Sequence, residues 1–371
     1  MPGIKNNFDE YWRGLFDNQR QNNIDLLRAI AVISVFIHHA QSTFGGDFPF
    51  FGEYGGQFGP QLFFLISGYL ISASCTRHPL TDYAIHRIFR IIPAYLLFFL
   101  GIGLFNGVIS WDNISQAPWE FLANILLMQH LFPKALLHYD TLHVTWTLTV
   151  EVLWYASAPL LLWRRSLSTA TVMGITLFSS AWAYAANQHV FDGFYPGVTD
   201  VNPGFSYLFL ANHFFSQICF FAFGAWIFFH KDRLRKVNPF LLMMLAVLLF
   251  ILRKYYFIYN PIFITGIGLG LLMLAGINSP AFRSKGVFII SEVSYSIYLC
   301  HFPVLLMVKN IWQISGYLGV AVSILLTLTL SVISYIFLEK PAINFGKHLT
   351  KSKFPLSSTS AQKNLDTHPG R

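Results

Sequence analysis

The feature that most constrains this chain is a recurrence of long apolar stretches almost empty of charge. Ten of them lie near 26–44, 59–74, 89–110, 144–163, 168–187, 207–229, 239–257, 260–276, 287–308 and 317–338. Most approach the ~20 residues that a helix needs to cross the ~30 Å hydrocarbon core of a bilayer. Inside lipid every backbone N–H and C=O must be satisfied within the protein, so such stretches fold as helices. Composition agrees, with 54% hydrophobic and only 11% charged residues, against about 25% charged in ordinary soluble domains. A disordered chain and a soluble multidomain enzyme are both excluded. The expected fold is an all-α polytopic membrane protein of about ten transmembrane helices.

One further run, 119–132, is too short to cross and reads as a re-entrant or interfacial segment. Leaving it on one side gathers 21 of the 25 Lys and Arg residues on a single face, with Lys134, Arg253, Lys254 and Lys309 opposite. By the positive-inside rule that face is cytoplasmic and carries both termini, which predicts a multi-pass protein of the cell inner membrane. A polar N-terminal segment (1–23) without the apolar core of a secretory leader precedes the transmembrane domain (24–340). A Ser- and Lys-rich tail (341–371), read as mobile, follows it. The net charge of +8 would suggest nucleic acid in a soluble protein; here it marks loops that meet anionic lipid, and no nucleic-acid partner is expected. Cys75, Cys219 and Cys300 form no disulfide framework, and the spacing of His130, His138 and His143 is not that of a metal site.

An ionisable side chain inside the hydrocarbon costs roughly 2.5–3.5 kcal/mol or more, so the few present need a reason. The first span carries Arg28 and His39, eleven residues apart. Eleven residues make almost three helical turns, so both project from one face, about 16 Å apart along the axis. Asp25 stands where it can cap this helix or pair with Arg28. The histidine reads either as a working residue at mid-depth or as a satisfied structural one. Arg87 and Arg90 share a helix face at the start of the third span. With Arg28 they make a cationic site for phosphates, or they anchor the helix end as topology determinants. Glu151, inside its span, reads as a support for His39, a contact for an acceptor hydroxyl or a structural pair. Ser67-Gly68 and the Gly266-x-x-x-Gly270 pair thin their helices. Such spacing means close helix packing or a slot for a narrow ligand.

Five segments in order carry a resemblance to a known family: IDLLRAIAVISVFIHHA (24–40), QLFFLISGYLIS (61–72), HRIFRIIPAY (86–95), WTLTVEVLWY (146–155) and SYSIYLCHFPV (294–304). Together they resemble the acyltransferase-3 family of integral-membrane O-acyltransferases, the group of bacterial lipopolysaccharide, peptidoglycan and exopolysaccharide O-acetylases. The resemblance implies transfer of an acyl group, usually acetyl, from cytoplasmic acyl-CoA to a hydroxyl of an extracytoplasmic glycan or lipid-linked saccharide. It implies His39 as the essential histidine with Arg28 as its signature partner. Arg87 and Arg90 would act on the donor side, and Glu151 matches the first glutamate of the family's WSLSVEE pattern. The chain departs from the pattern at Gln61, where an acidic residue is common, and at Val152, where the second glutamate stands. The carboxylate supporting the histidine is thus open between Glu53, Glu151 and none. No fused SGNH-hydrolase domain is expected beyond the last span.

The mechanism expected from this resemblance has CoA phosphates at Arg87 and Arg90 and the pantetheine arm passing Ser67 and Gly68. The thioester would then meet His39, acting as general base or acyl carrier, with no metal. Two other classes remain: a secondary transporter or glycan-lipid flippase, which also uses sparse intramembrane charge, and a non-catalytic structural subunit, for which His39 would be dispensable.

Overall fold

The computed structural model describes residues 22–164, 166–194, 209–253 and 262–351. The expectations for most of the N-terminal segment, the end of the tail, much of the loop after 188, Arg165 and Lys254 lie outside them. Among the described residues the chain is all helix and turn, with no strand. Three helices open the fold: α1 (Asn22–Phe44), α2 (Phe51–Arg77) and α3 (Leu80–Phe105). A broken segment follows, made of α4 (Trp111–Gln116), α5 (Pro118–Ile125), a 3-10 turn (Gln129–Leu131) and α6 (Pro133–His138). The rest comprises α7 (Trp146–Leu161), α8 (Thr169–Asn187), α9 (Phe214–Leu234), α10 (Pro239–Arg253), α11 (Ile262–Asn278), α12 (Lys285–Glu292), α13 (Ser294–Asn310), α14 (Gly316–Ser334) and α15 (Lys340–Lys351).

Every apolar stretch read from the sequence carries a helix, but the expected count of about ten crossings is not reproduced by helix length and apolarity. Among the described residues, five helices are long and apolar enough to cross a bilayer, and α12 with α13 makes a sixth if that pair is one span. The remaining stretches are interrupted or shorter, as with Pro239–Leu252 and Ile264–Asn278.

Backbone-to-backbone contact holds the centre together. A Cβ added at Gly68 would sit 2.1 Å from the carbonyl oxygen of Phe221, and one at Gly224 would sit 1.9 Å from that of Leu65. Helices α2 and α9 therefore cross glycine against backbone in both directions. In lipid, where apolar surface supplies no drive for helix association, such close packing is what joins helices. Gly55 makes the same approach to Ser34 of α1, so α2 is clamped on two sides.

The 111–138 region does not form a crossing helix. Pro118 and Pro133 start new helices, as proline does at a first turn, and Leu127 adopts φ 59°. Its backbone is satisfied internally. Asn124 donates to Ala135 O (2.8 Å), Tyr95 donates to Asn124 O (2.8 Å), and Gln129 donates to Thr145 O (3.2 Å). Irregular backbone at membrane depth is tolerated only in such a setting.

Two further breaks shape the site. Between α12 and α13 the axis turns by 73° at Val293. The serines on either side of it are engaged: Ser291 donates to Asp25 (2.9 Å) and Ser294 to Ser291 O (2.7 Å). After α14 a π-turn, Tyr335–Glu339, leads into α15. It buries Glu339 against Ser296, which donates to its carboxylate, and Tyr335 donates to Glu292. Helix α15 lies on α3, with Phe345 against Phe89 at 5.3 Å between ring centroids.

Candidate active site

Helices α1, α2, α3, α7 and α13 enclose a cavity of ≈ 350 Å³. Four arginines line one end: Arg28 from α1, Arg77 at the last turn of α2, and Arg87 and Arg90 near the start of α3. These positions coincide because α1 and α2 run antiparallel, so the start of α1 meets the end of α2, and α3 begins three residues after Arg77. The Arg87 guanidinium lies 5.8 Å from the centre of the Tyr83 ring and 5.7 Å from that of Tyr155, within cation–π range. Its Nε is buried without a partner. Arg28 donates to Ser294 Oγ at 2.9 Å, which ties α1 to the break before α13. Among the described residues no carboxylate comes within ion-pair distance of Arg77, Arg87 or Arg90. The mouth is a concentration of positive charge shaped to receive an anion, and guanidinium forks favour phosphate.

Midway along the cavity, Glu151 accepts from Ser67 Oγ at 3.1 Å and from the hydroxyl of Tyr155, one turn further along α7. At the inner end Thr147 donates to the Tyr298 hydroxyl (2.8 Å), which in turn donates to Val144 O (3.0 Å). This pair closes the cavity together with Phe63 and Pro60. The ring of His301 is 5.9 Å from Tyr298, and His39 is 5.2 Å beyond His301 between ring centroids. His39 is half-buried and is flanked also by His38 (5.1 Å) and Phe302 (4.4 Å).

The site residues named from the sequence thus divide. Arg28, Ser67, Arg87, Arg90 and Glu151 share the cavity. Gly68, expected on the donor slot with Ser67, faces α9 instead, where any side chain would strike the Phe221 backbone. Consecutive helical residues point about 100° apart, and only one of the two can face the slot. His39 does not line the cavity either; Tyr298 and His301 stand between them. Arg28 and His39 share a helix, yet the arginine serves the mouth and the histidine lies past the inner wall. Glu151 is held by Ser67 and Tyr155 rather than at the imidazole. Sequence reasoning passed over Tyr155, Tyr295, Tyr298, Thr147, Ser294 and Arg77. All but Arg77 lie inside segments singled out above, where hydroxyl side chains three or four residues apart in an apolar helix were the available signal. No group of three or more His, Cys, Asp or Glu side chains able to hold a metal occurs among the described residues.

Comparison with known proteins decides the class. A model of the acyltransferase domain matches residues 21–336, most of the chain and every helix of the cavity. The chain belongs to the acyltransferase-3 family. It is a membrane protein that carries the acyltransferase domain of that family. Among its relatives are nodulation protein 10 of Rhizobium leguminosarum bv. viciae, 28% identical over 47% of this chain and 54% of the relative. A candidate O-acetyltransferase of Staphylococcus aureus is 26% identical over 38% of this chain and 24% of the relative. A candidate membrane-bound transacylase, BcsY of Komagataeibacter xylinus, is 28% identical over 47% of each. The matches span about half, or less, of these relatives' own lengths. No solved structure matches the chain.

Proposed function

We propose that this acyltransferase moves an acyl group, acetyl in the first instance, from cytoplasmic acyl-CoA to a hydroxyl of an extracytoplasmic glycan such as an O-antigen or exopolysaccharide, in the inner membrane. One observation carries the reading: a cavity with four arginines at its mouth narrows through polar hydroxyls toward Tyr298, His301 and His39. A volume of ≈ 350 Å³ sits at the low end of the roughly 300–1,000 Å³ of small-molecule sites. It suits the pantetheine arm and thioester, with the nucleotide phosphates held outside by Arg28, Arg77, Arg87 and Arg90. On this reading the acyl carbonyl stops at the Thr147–Tyr298 wall, and movement of the Tyr298 ring brings it to His39.

His39 then acts as general base. It takes the proton of the sugar hydroxyl as that oxygen attacks the thioester carbon. The tetrahedral intermediate collapses with loss of CoA thiolate, and the thiolate takes the proton from His39. General-base help of this kind is worth about 10²–10⁴ in rate. Arg28 acts on the donor and not on the imidazole, and Glu151 orders the cavity wall through Ser67 and Tyr155. The anion-selective mouth favours a phosphate-bearing donor over the transporter or flippase alternative.

Release of free CoA by the purified protein in liposomes, with and without glycan from the source cells, tests this. Glycan-dependent CoA release that His39→Ala abolishes is expected. Glycan movement without CoA release would place the protein among transporters.

A further inference from the structure

Beside the proposed base stands a second imidazole that no step above uses. His301 on α13 is only 1% exposed, and its ring plane is inclined 47° to that of His39. Its Nδ1 lies 2.8 Å from Tyr298 O and 3.0 Å from Ile297 O. Backbone carbonyls only accept, so Nδ1 of His301 carries the proton, and the neutral ring presents a lone pair at Nε2. That Nε2 is buried and has no hydrogen-bond partner. Leaving a buried acceptor unsatisfied costs about 1–3 kcal/mol, so such an atom wants a donor.

The groups around His39 say which donor. The imidazoles packed beside His39 are His38 and His301, at 5.1 and 5.2 Å between ring centroids, with His143 against the Phe302 ring that His39 also touches. His38 also donates through Nδ1, to the Gly52 carbonyl at 2.8 Å, but its half-buried ring is not among those with a buried unpartnered nitrogen, and His143 faces Asp140 at 3.3 Å. Glu151 is engaged inside the cavity by Ser67 and Tyr155. Among the described residues, the ring beside His39 that presents a buried acceptor without a partner is His301.

We infer that His301 is the positioning residue for His39: its Nε2, unpartnered in the structure, accepts the N–H of the adjacent His39 ring when the acceptor engages the site, which leaves the other His39 nitrogen as a lone pair aimed at the acceptor hydroxyl. This rests on the reading of His39 as general base. The proton arrangement balances, because His39 takes the hydroxyl proton on its free nitrogen and returns it to the departing thiolate. The N–H shared with His301 stays in place throughout. A neutral imidazole thus fills the role that a carboxylate plays in a catalytic triad. The departure at Gln61 leaves nothing missing, since the support comes from α13.

Four variants of the full chain in liposomes, supplied with acetyl-CoA and source-cell glycan, test it: His301→Phe, His301→Gln, His301→Ala and His39→Ala. His301→Phe and His301→Ala are expected to lower kcat by about 10²-fold or more, with KM for acetyl-CoA close to wild type. In His301→Gln the side-chain carbonyl still accepts the N–H, so it recovers about tenfold or more of that loss. Its kcat should also keep the wild-type pH profile. Wild-type kcat in His301→Phe overturns the inference. Equal inactivity of the Phe and Gln variants, both still binding acetyl-CoA, also overturns it, because packing alone would behave so. The two readings fail separately. Full activity of His39→Ala removes the base itself, whereas an inactive His39→Ala beside a fully active His301→Phe removes only the positioning role.

Discussion

Replacement of Arg87 by alanine probes the mouth of the cavity with the least damage to the fold. Its guanidinium rests between the Tyr83 and Tyr155 rings at 5.8 and 5.7 Å, has no carboxylate partner, and keeps its Nε unpaired. Removing it strands no buried anion, which is the usual source of large losses when a charge is deleted. Inside the protein the loss is the ring contacts, about 0.5–1 kcal/mol each at partly exposed sites. Toward a phosphate the loss is one charge-assisted hydrogen-bonded contact, about 1.5–3 kcal/mol. At 1.4 kcal/mol per factor of ten, KM for acyl-CoA should rise by about 10- to 150-fold, with kcat at saturating donor little changed. Arg87→Lys keeps the charge and loses the fork, so it falls between. The assay is initial-rate CoA release at varied acetyl-CoA, repeated at low and high salt, with the defect narrowing as salt screens the wild-type mouth. An unchanged KM in Arg87→Ala, or a fall in kcat alone, would refute a phosphate site here and return the arginine to a topological role.

Other consequences follow from the same geometry. Gly224→Ala drives a methyl to 1.9 Å from the Leu65 carbonyl and should destabilise the protein by about 1–3 kcal/mol, read as a lower melting temperature in detergent. Tyr155→Phe removes the hydroxyl that donates to Glu151; a loss of about 1–3 kcal/mol should appear as reduced thermal stability or weaker donor binding, and Glu151→Gln on the Tyr155→Phe background should add little. Wild-type values in both measurements would show that this contact carries no weight. Asn124→Ala breaks the bond to Ala135 O and should loosen the 111–138 segment, seen as faster proteolysis there with the α2–α9 contact intact.

Much of the helical fold was legible because lipid leaves a backbone few options: an apolar stretch of span length must be helical. That Arg28, Arg87 and Arg90 could share one cationic site was legible from the common face of Arg87 and Arg90 and from Arg28 standing near a helix end, whereas Glu151 was read with His39 and lies instead beside Ser67 in the same cavity. What joins them is the antiparallel pairing of α1 with α2 and the crossing of α2 with α9, and these depend on contacts between residues far apart in sequence. The direction of Gly68 was not legible, since a Ser-Gly pair reads alike whichever member faces the slot. Neither was the 73° turn at Val293, which rests on Ser291 reaching Asp25 across the sequence. The tyrosines of the cavity were hidden by their ordinary place in an aromatic-rich chain, where a phenol at helix spacing is usually packing. His301 lies within the 294–304 segment, but its nearness to His39 depends on α1 and α13 lying side by side.

The central claim is that a thioester donor enters at the arginines and is drawn toward the histidines. A cryo-electron microscopy structure with a non-hydrolysable thioether analogue of acetyl-CoA tests it most directly. The account predicts phosphate density against Arg28, Arg77, Arg87 and Arg90, with the sulfur at the Thr147–Tyr298 wall on the side facing His301 and His39. An analogue bound outside this cavity, or lying in it with its sulfur at the arginines, would contradict the account.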